Sequence, residues 1–214
     1  MLPVTVSKNI TVASSTGITT FSSGNVVGTV NSSNLGTARR ISIWGSSGSS
    51  GVFVITGTGQ TGNPQSESVT GSTTPGTAVA TTQDFLTVTG VSVTGTNAST
   101  TSYVGTNTVG GTPWYVIDTY KSPINVAFNL TPSTTSILVN FEYTLDYPSY
   151  NAVTGLWSTQ NPNTGPIPTI SSMGSSVTSN TSGYITTPIT AWRITLTSTA
   201  TGAGTAAATV LQSG

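Results

Sequence analysis

The sequence contains no cysteine and no histidine in its 214 residues, and only five acidic and five basic side chains. Each gap removes a class of chemistry. Without cysteine there is no disulfide, no thiolate nucleophile and no thiolate-held metal. Without histidine, a Ser-His-Asp triad and a His-ligated zinc site are excluded. Acid–base work near neutral pH then falls to carboxylates tuned by burial. Charged residues make up 5% of the chain, against roughly a quarter in an average soluble domain. The only basic doublet is Arg39-Arg40. Free nucleic acid, which draws its affinity from Lys and Arg against phosphate, is therefore not an expected partner. No apolar run approaches the roughly 20 residues needed to span a bilayer. The opening Met1-Leu2-Pro3-Val4 lacks the basic and apolar regions of a secretory signal. The expectation is a chain made in a cytoplasm, with no membrane partner.

What is present points to β structure. Ser and Thr fill about a third of the positions and Gly adds 24 more. A disordered linker of that composition would lack core-forming residues, yet Val, Ile, Thr, Trp, Tyr and Phe recur throughout and suit a pleated, half-buried surface. No ten-residue stretch carries apolar residues at helical spacing, whereas period-two alternation is widespread. Ile41 and Ile43 alternate with their neighbours, a Gly/Ser run from Gly45 to Gly51 follows, and Val52 and Val54 alternate again, which reads as a β-hairpin. Phe85 to Val93 and Ser102 to Val104 read as a second pair. Val126, Phe128 and Leu130 alternate before a turn at Thr131 to Thr135, then Val139, Phe141, Tyr143 and Leu145 share one face. Ala191 to Leu196 and Ala206 to Leu211 form the last pair. The expected fold class is all-β: an antiparallel β-sandwich, jelly-roll or Ig-like, in two tandem related units with almost no helix. Residues 1–35 read as an N-terminal arm lying across a partner. Residues 36–111 read as the first unit and 112–214 as the second, with a long loop at 146–183. A single sandwich drawing its sheets from both halves gives the same string.

Five carboxylates are available for chemistry: Glu67, Asp84, Asp118, Glu142 and Asp146. Glu142 and Asp146, four apart on one strand, lie about 13 Å apart by strand rise. Glycosidase carboxyls stand roughly 5–9.5 Å apart, so the pair reads as a solvated strand face. Asp118 with Asp146 falls short of the six to eight oxygens of a Ca²⁺ site. Gly57-Thr58-Gly59-Gln60-Thr61-Gly62 matches a phosphate-loop pattern by letter, but no helix follows it. The sequence therefore leads us to expect no enzyme, no catalytic residue, no cofactor and no metal. The long loop carries Tyr147, Tyr150 and Trp157, and such loops tend to be functional. These aromatics, with Trp114, Arg39 and Arg40, are the candidate partner contacts. Capping an open end of the core is the alternative role for the loop aromatics.

Three segments taken in order carry a resemblance. They are Val54 to Pro64 with Glu67-Ser68-Val69, Gly111-Thr112-Pro113-Trp114-Tyr115 leading to Tyr120 through Val126, and Phe141 to Asp146 with the closing Ala207 to Gly214. Together they resemble small β-rich virion proteins encoded among the head and tail genes of tailed bacteriophages, over residues 40 to 214. The resemblance implies a structural protein of the virion, most simply a capsid decoration or cement protein. The implied partners are a major capsid protein or other virion subunits, together with copies of itself. The alternative it implies is a tail or head-fibre accessory protein that binds host-surface carbohydrate or a receptor.

Overall fold

A computed structural model describes residues 4–10, 17–22, 27–28, 30, 33–94, 101–120, 125–135, 137–145, 147–151, 156–159, 177–186, 188–196 and 204–213. Among these residues every regular element is a β-strand. In chain order they are β1 (Val4–Ile10), β2 (Thr19–Phe21), β3 (Val27–Gly28), β4 (Ser33–Gly45), β5 (Val52–Thr58), β6 (Pro64–Thr70), β7 (Val79–Ala80), β8 (Phe85–Thr94) and β9 (Ser102–Gly111). These are followed by β10 (Tyr115–Val116), β11 (Asn125–Pro132), β12 (Val139–Thr144), β13 (Pro148–Asn151), β14 (Leu156–Thr159), β15 (Thr181–Ile185), β16 (Ala191–Leu196) and β17 (Gly204–Ser213). The described strand pairs are antiparallel, and the architecture is that of an all-β, sandwich-like protein.

The chain divides into two compact units. The first comprises Ala13–Gly110 with Ala152–Gly155, and the second Met1–Val12, Gly111–Asn151 and Leu156–Gly214. Within the stretch expected as an arm, residues 1–35, the described residues include three strands and the start of β4. β1 pairs along its whole length with β17, from Val4 opposite Val210 to Ile10 opposite Gly204. β2 and β3 join the first unit by pairing with β9 and β8. The reason is the alternation of Val4 and Val6, which matches the inward set Val210 and Ala208 and lets the segment complete a sheet.

In the first unit the strands run β9-β4-β8-β5-β6. The expected hairpin of β4 with β5 does not form, because β8 lies between them, and β4 likewise separates β8 from β9. The Gly45–Gly51 connection turns away from the sheet: Ser49 N–H donates to Ser72 O at 2.6 Å and Gly76 N–H to Gly45 O at 2.9 Å. The opened slot is filled by β8, whose Phe85, Val88, Val91 and Val93 join Phe53, Ile55, Ile41 and Ile43 in one core. The inward period of β8 slips by one residue between Val88 and Val91. Thr56 pairs with Gly90 but Gly57 with Val88, leaving Thr89 as the extra residue of a bulge. A side chain at Gly57 would put its Cβ 1.9 Å from the Thr87 carbonyl oxygen. Glycine is therefore required there by backbone approach. Gly62, at φ 82°, turns the β5–β6 hairpin, with its N–H donating to Gly59 O at 3.0 Å. Those structural roles account for two of the three glycines in the phosphate-loop letters.

In the second unit one sheet runs β1-β17-β11-β15, and the strands β10, β16 and β12 form a ladder with β16 in the middle. Here too the expected hairpins separate. β11 and β12 fall on different sheets, as do β16 and β17. The faces read from the sequence still meet: Val126, Phe128 and Leu130 share a core with Val139, Phe141, Trp192, Ile194 and Leu196. Phe128 stacks on Phe141 at 4.8 Å, Phe141 on Trp192 at 5.3 Å, and Trp192 meets Tyr115 at 4.9 Å. Leu145, expected on the same face as Phe141, is 59% exposed beyond the strand end. The stretch expected as the loop 146–183 contains a hairpin of β13 and β14, and Val177 bridges to Val139. The turn-rich run at 161–168 lies outside the described residues.

Candidate functional site

The six residues expected to contact partners divide between the two units, Arg39 and Arg40 in the first and Trp114, Tyr147, Tyr150 and Trp157 in the second. Arg39 is 1% exposed, and burial alone lowers its pKa from 12.5 to about 10. Trp114 is 6% exposed. Both side chains are buried, unlike the exposed contacts expected from the sequence. Arg40 is more accessible and stands 3.8 Å from Asp84. Tyr147 is 53% exposed. Tyr150 and Trp157 lie opposite each other in the β13–β14 register, and their side chains lie outside the described residues.

The carboxylates have structural work. Glu142 stands opposite Arg193 in the β12–β16 ladder. Its Oε2 accepts from Arg193 Nε at 2.8 Å and lies 2.7 Å from Nη2, while Oε1 accepts from Thr195 Oγ1 at 2.9 Å. Both charged side chains are mostly buried, so the expected solvated strand face is a shielded ion pair. The Arg193 guanidinium also lies 4.7 Å over the Trp114 ring, a cation–π arrangement that covers the indole. Asp146, the other half of the weighed pair, lies outside the described residues. In the first unit Glu67 accepts from Thr82 N–H at 2.7 Å and Gln83 N–H at 2.9 Å, fixing the turn before β8. Asp84 accepts from Gln60 Nε2 at 2.8 Å. Among the described residues no three carboxylates lie together to hold a metal ion.

Two surface features of the second unit were not legible in the sequence. One is a cleft of about 370 Å³ lined by Val4, Trp114, Tyr115, Val116, Ile117, Asp118, Trp192, Val210 and Gln212. Gln212 closes its polar side. The amide Oε1 accepts from Asp118 N–H at 3.0 Å and Nε2 donates to the Asp118 carbonyl, so a side chain of β17 mimics a strand pair with the segment after β10. Asp118 Oδ1 accepts from Tyr120 N–H at 3.0 Å. Burial raises the Tyr115 pKa above its usual 10.0, keeping the phenol neutral at physiological pH.

The other feature is the outward face of the sheet β1-β17-β11-β15. Alternation places Tyr184, Ala127 and Leu211 in one row across three strands. Ser182, Asn129, Thr209 and Thr5 form the next row. Tyr184 is 77% and Leu211 42% exposed. Thr5 and Thr209 share a hydrogen bond at 3.1 Å between their hydroxyls. None of the described residues on this face is charged.

The fold is thus that of an all-β protein whose described carboxylates are mostly bonded to its own chain. No protein-family model, curated protein or solved structure matches it.

Proposed function

We propose that the chain is a structural protein of a bacteriophage virion, acting as a capsid decoration or cement protein through contacts with shell subunits and with copies of itself. The observation that carries this reading is the uncharged outer face of the second unit's four-stranded sheet. Neighbouring exposed apolar groups mark association surfaces, and Tyr184 is of the type that dominates binding hot spots. Around it, Thr, Ser and Asn hydroxyls and amides bond to a neighbour without the desolvation cost of ion pairs. Repetition on a lattice lets individually weak contacts add, and whatever binds only the assembled shell stabilises it by mass action. In this reading the chain is not an enzyme. Glu142, Glu67 and Asp84 hold strands and turns in place, and the work is done by surface.

The fibre alternative, with an aromatic platform for host carbohydrate, has less support. Trp114, the platform residue nearest to hand, already carries Arg193 on its ring. The test is assembly of particles without this chain. They are expected to form and then to rupture at lower temperature and milder osmotic shock than complete particles. Unchanged rupture would remove the cement role.

A further inference from the structure

The cleft of the second unit has no part in a cement role, and its chemistry is selective. Its walls are Tyr115, Trp192, Val116, Val4 and Val210, and among the described residues the charged one lining it is Asp118. Its volume of about 370 Å³ falls in the range of small-molecule sites, which pair apolar walls with a few polar groups. Val4 and Val116, 53% and 48% exposed, flank an opening to solvent. The Gln212 amide is spent at both ends on the Asp118 backbone. The other described lining residues with polar side-chain groups include Asp118, exposed at the cleft, and the half-buried Tyr115. Tyr120 N–H donates to one oxygen of the Asp118 carboxylate, and a carboxylate has capacity for several more partners.

That inventory discriminates between ligand classes. A sugar ring would bring several hydroxyls against apolar walls with too few partners, and each unpaired one is costly. An anion would meet the carboxylate. A cation on an apolar body fits both parts: aromatic rings attract positive charge through their quadrupole, and the carboxylate supplies the counter-charge. Arg193, the cation lying on Trp114, is neutralised by Glu142 at 2.7 Å.

We propose that this cleft binds an organic ammonium group carried on a small apolar body, held between Tyr115 and the Asp118 carboxylate. The assignment is independent of the virion reading and stands or falls separately from it.

Choline chloride and its neutral carbon isostere, 3,3-dimethylbutan-1-ol, have the same shape and differ in charge. Titrated against the full chain and followed by amide NMR shifts, choline is expected to bind saturably. The isostere should bind about tenfold more weakly, since only the charge term is lost. Asp118→Asn keeps the oxygen that accepts from Tyr120 and should lose about tenfold for choline only. Val4→Trp, at an exposed position, should plug the cleft and abolish both signals while leaving the melting temperature unchanged. Glycerophosphocholine and a trimethyl-lysine peptide, run alongside, separate a headgroup from a protein side chain as the source, and binding of either agrees with the proposal. Equal binding of choline and isostere, undiminished choline binding by Asp118→Asn, no saturable choline binding, or tighter binding of methyl glucoside would each overturn it.

Discussion

The two units solve the same problem, holding a β core with few charges and no disulfides, by different means. In the first, the tightest approaches around glycine are to backbone. A Cβ at Gly57, Gly71 or Gly110 would lie 1.9, 1.8 or 2.1 Å from a carbonyl oxygen of a neighbouring segment. In the second, the tightest are to side chains: Gly183 and Gly204 make room for the Phe128 ring and the Ile137 methyl, and the aliphatic core contains a run of stacked aromatics. A backbone carbonyl held in a ladder cannot retreat, whereas a ring or methyl gives way by side-chain repacking, at the cost of strain in the core around it. Composition alone hides this difference, because both units use glycine freely.

The sharpest way to break the comparison is a matched pair of substitutions. Gly57→Ala should destabilise the first unit by more than about 4 kcal/mol. Gly183→Ala should cost the second about 1–3 kcal/mol, the usual range for overpacking. Hydrogen exchange read on peptides from each unit checks both, and equal losses would erase the distinction. Next in size is Phe141→Ala, which removes a fully buried ring stacked on both sides and should cost about 3–5 kcal/mol by urea denaturation. Glu142→Ala follows, at about 2–3 kcal/mol, because it leaves Arg193 shielded from water without its carboxylate. Double replacement of Glu142 and Arg193 by apolar residues should recover part of that loss.

The smallest effects are those of pH, and the two units should pull in opposite directions. Arg39 in the first unit has a folded pKa of about 10, below the ordinary 12.5. Between those values the unfolded chain holds more protons, so this group makes stability rise with pH. Tyr115 in the second unit has a raised pKa. Its contribution is full below pH 10 and is lost above it, as the unfolded chain ionises first. Denaturation midpoints of Arg39→Met and Tyr115→Phe against the parent chain, above pH 10, should therefore diverge with opposite slopes.

Strand faces were readable in the sequence because a side chain's direction follows the local period of two. Val126, Phe128 and Leu130, or Val139 and Phe141, needed no knowledge of their neighbours. Strand partners were not readable. Each adjacent pair read as a hairpin is split in the fold, by β8 entering between β4 and β5, by β4 between β8 and β9, or by the chain crossing from one sheet to another. Alternation says which side a residue faces and nothing about which strand lies beside it. β1 was missed for a related reason: Lys8 interrupts the apolar pattern after Val4 and Val6, and the pairing strand lies some 200 residues away. The candidate sites were less legible still. The cover of Trp114 by Arg193, and the clasp of Asp118 by Gln212 across 94 positions, are tertiary events without a local signature. Exposure of Tyr184 follows from its register against Ala127, which only the sheet order reveals.

The reading of the chain as a surface-acting virion component rests on the Tyr184–Leu211 face. The most direct test is to count copies of the chain on purified particles, for the parent and for a Tyr184→Glu, Leu211→Glu variant of unchanged melting temperature. The account predicts a fixed, symmetry-related copy number for the parent and near-complete loss for the variant. Particles that never carry the parent chain, or that carry the variant equally well, would contradict it.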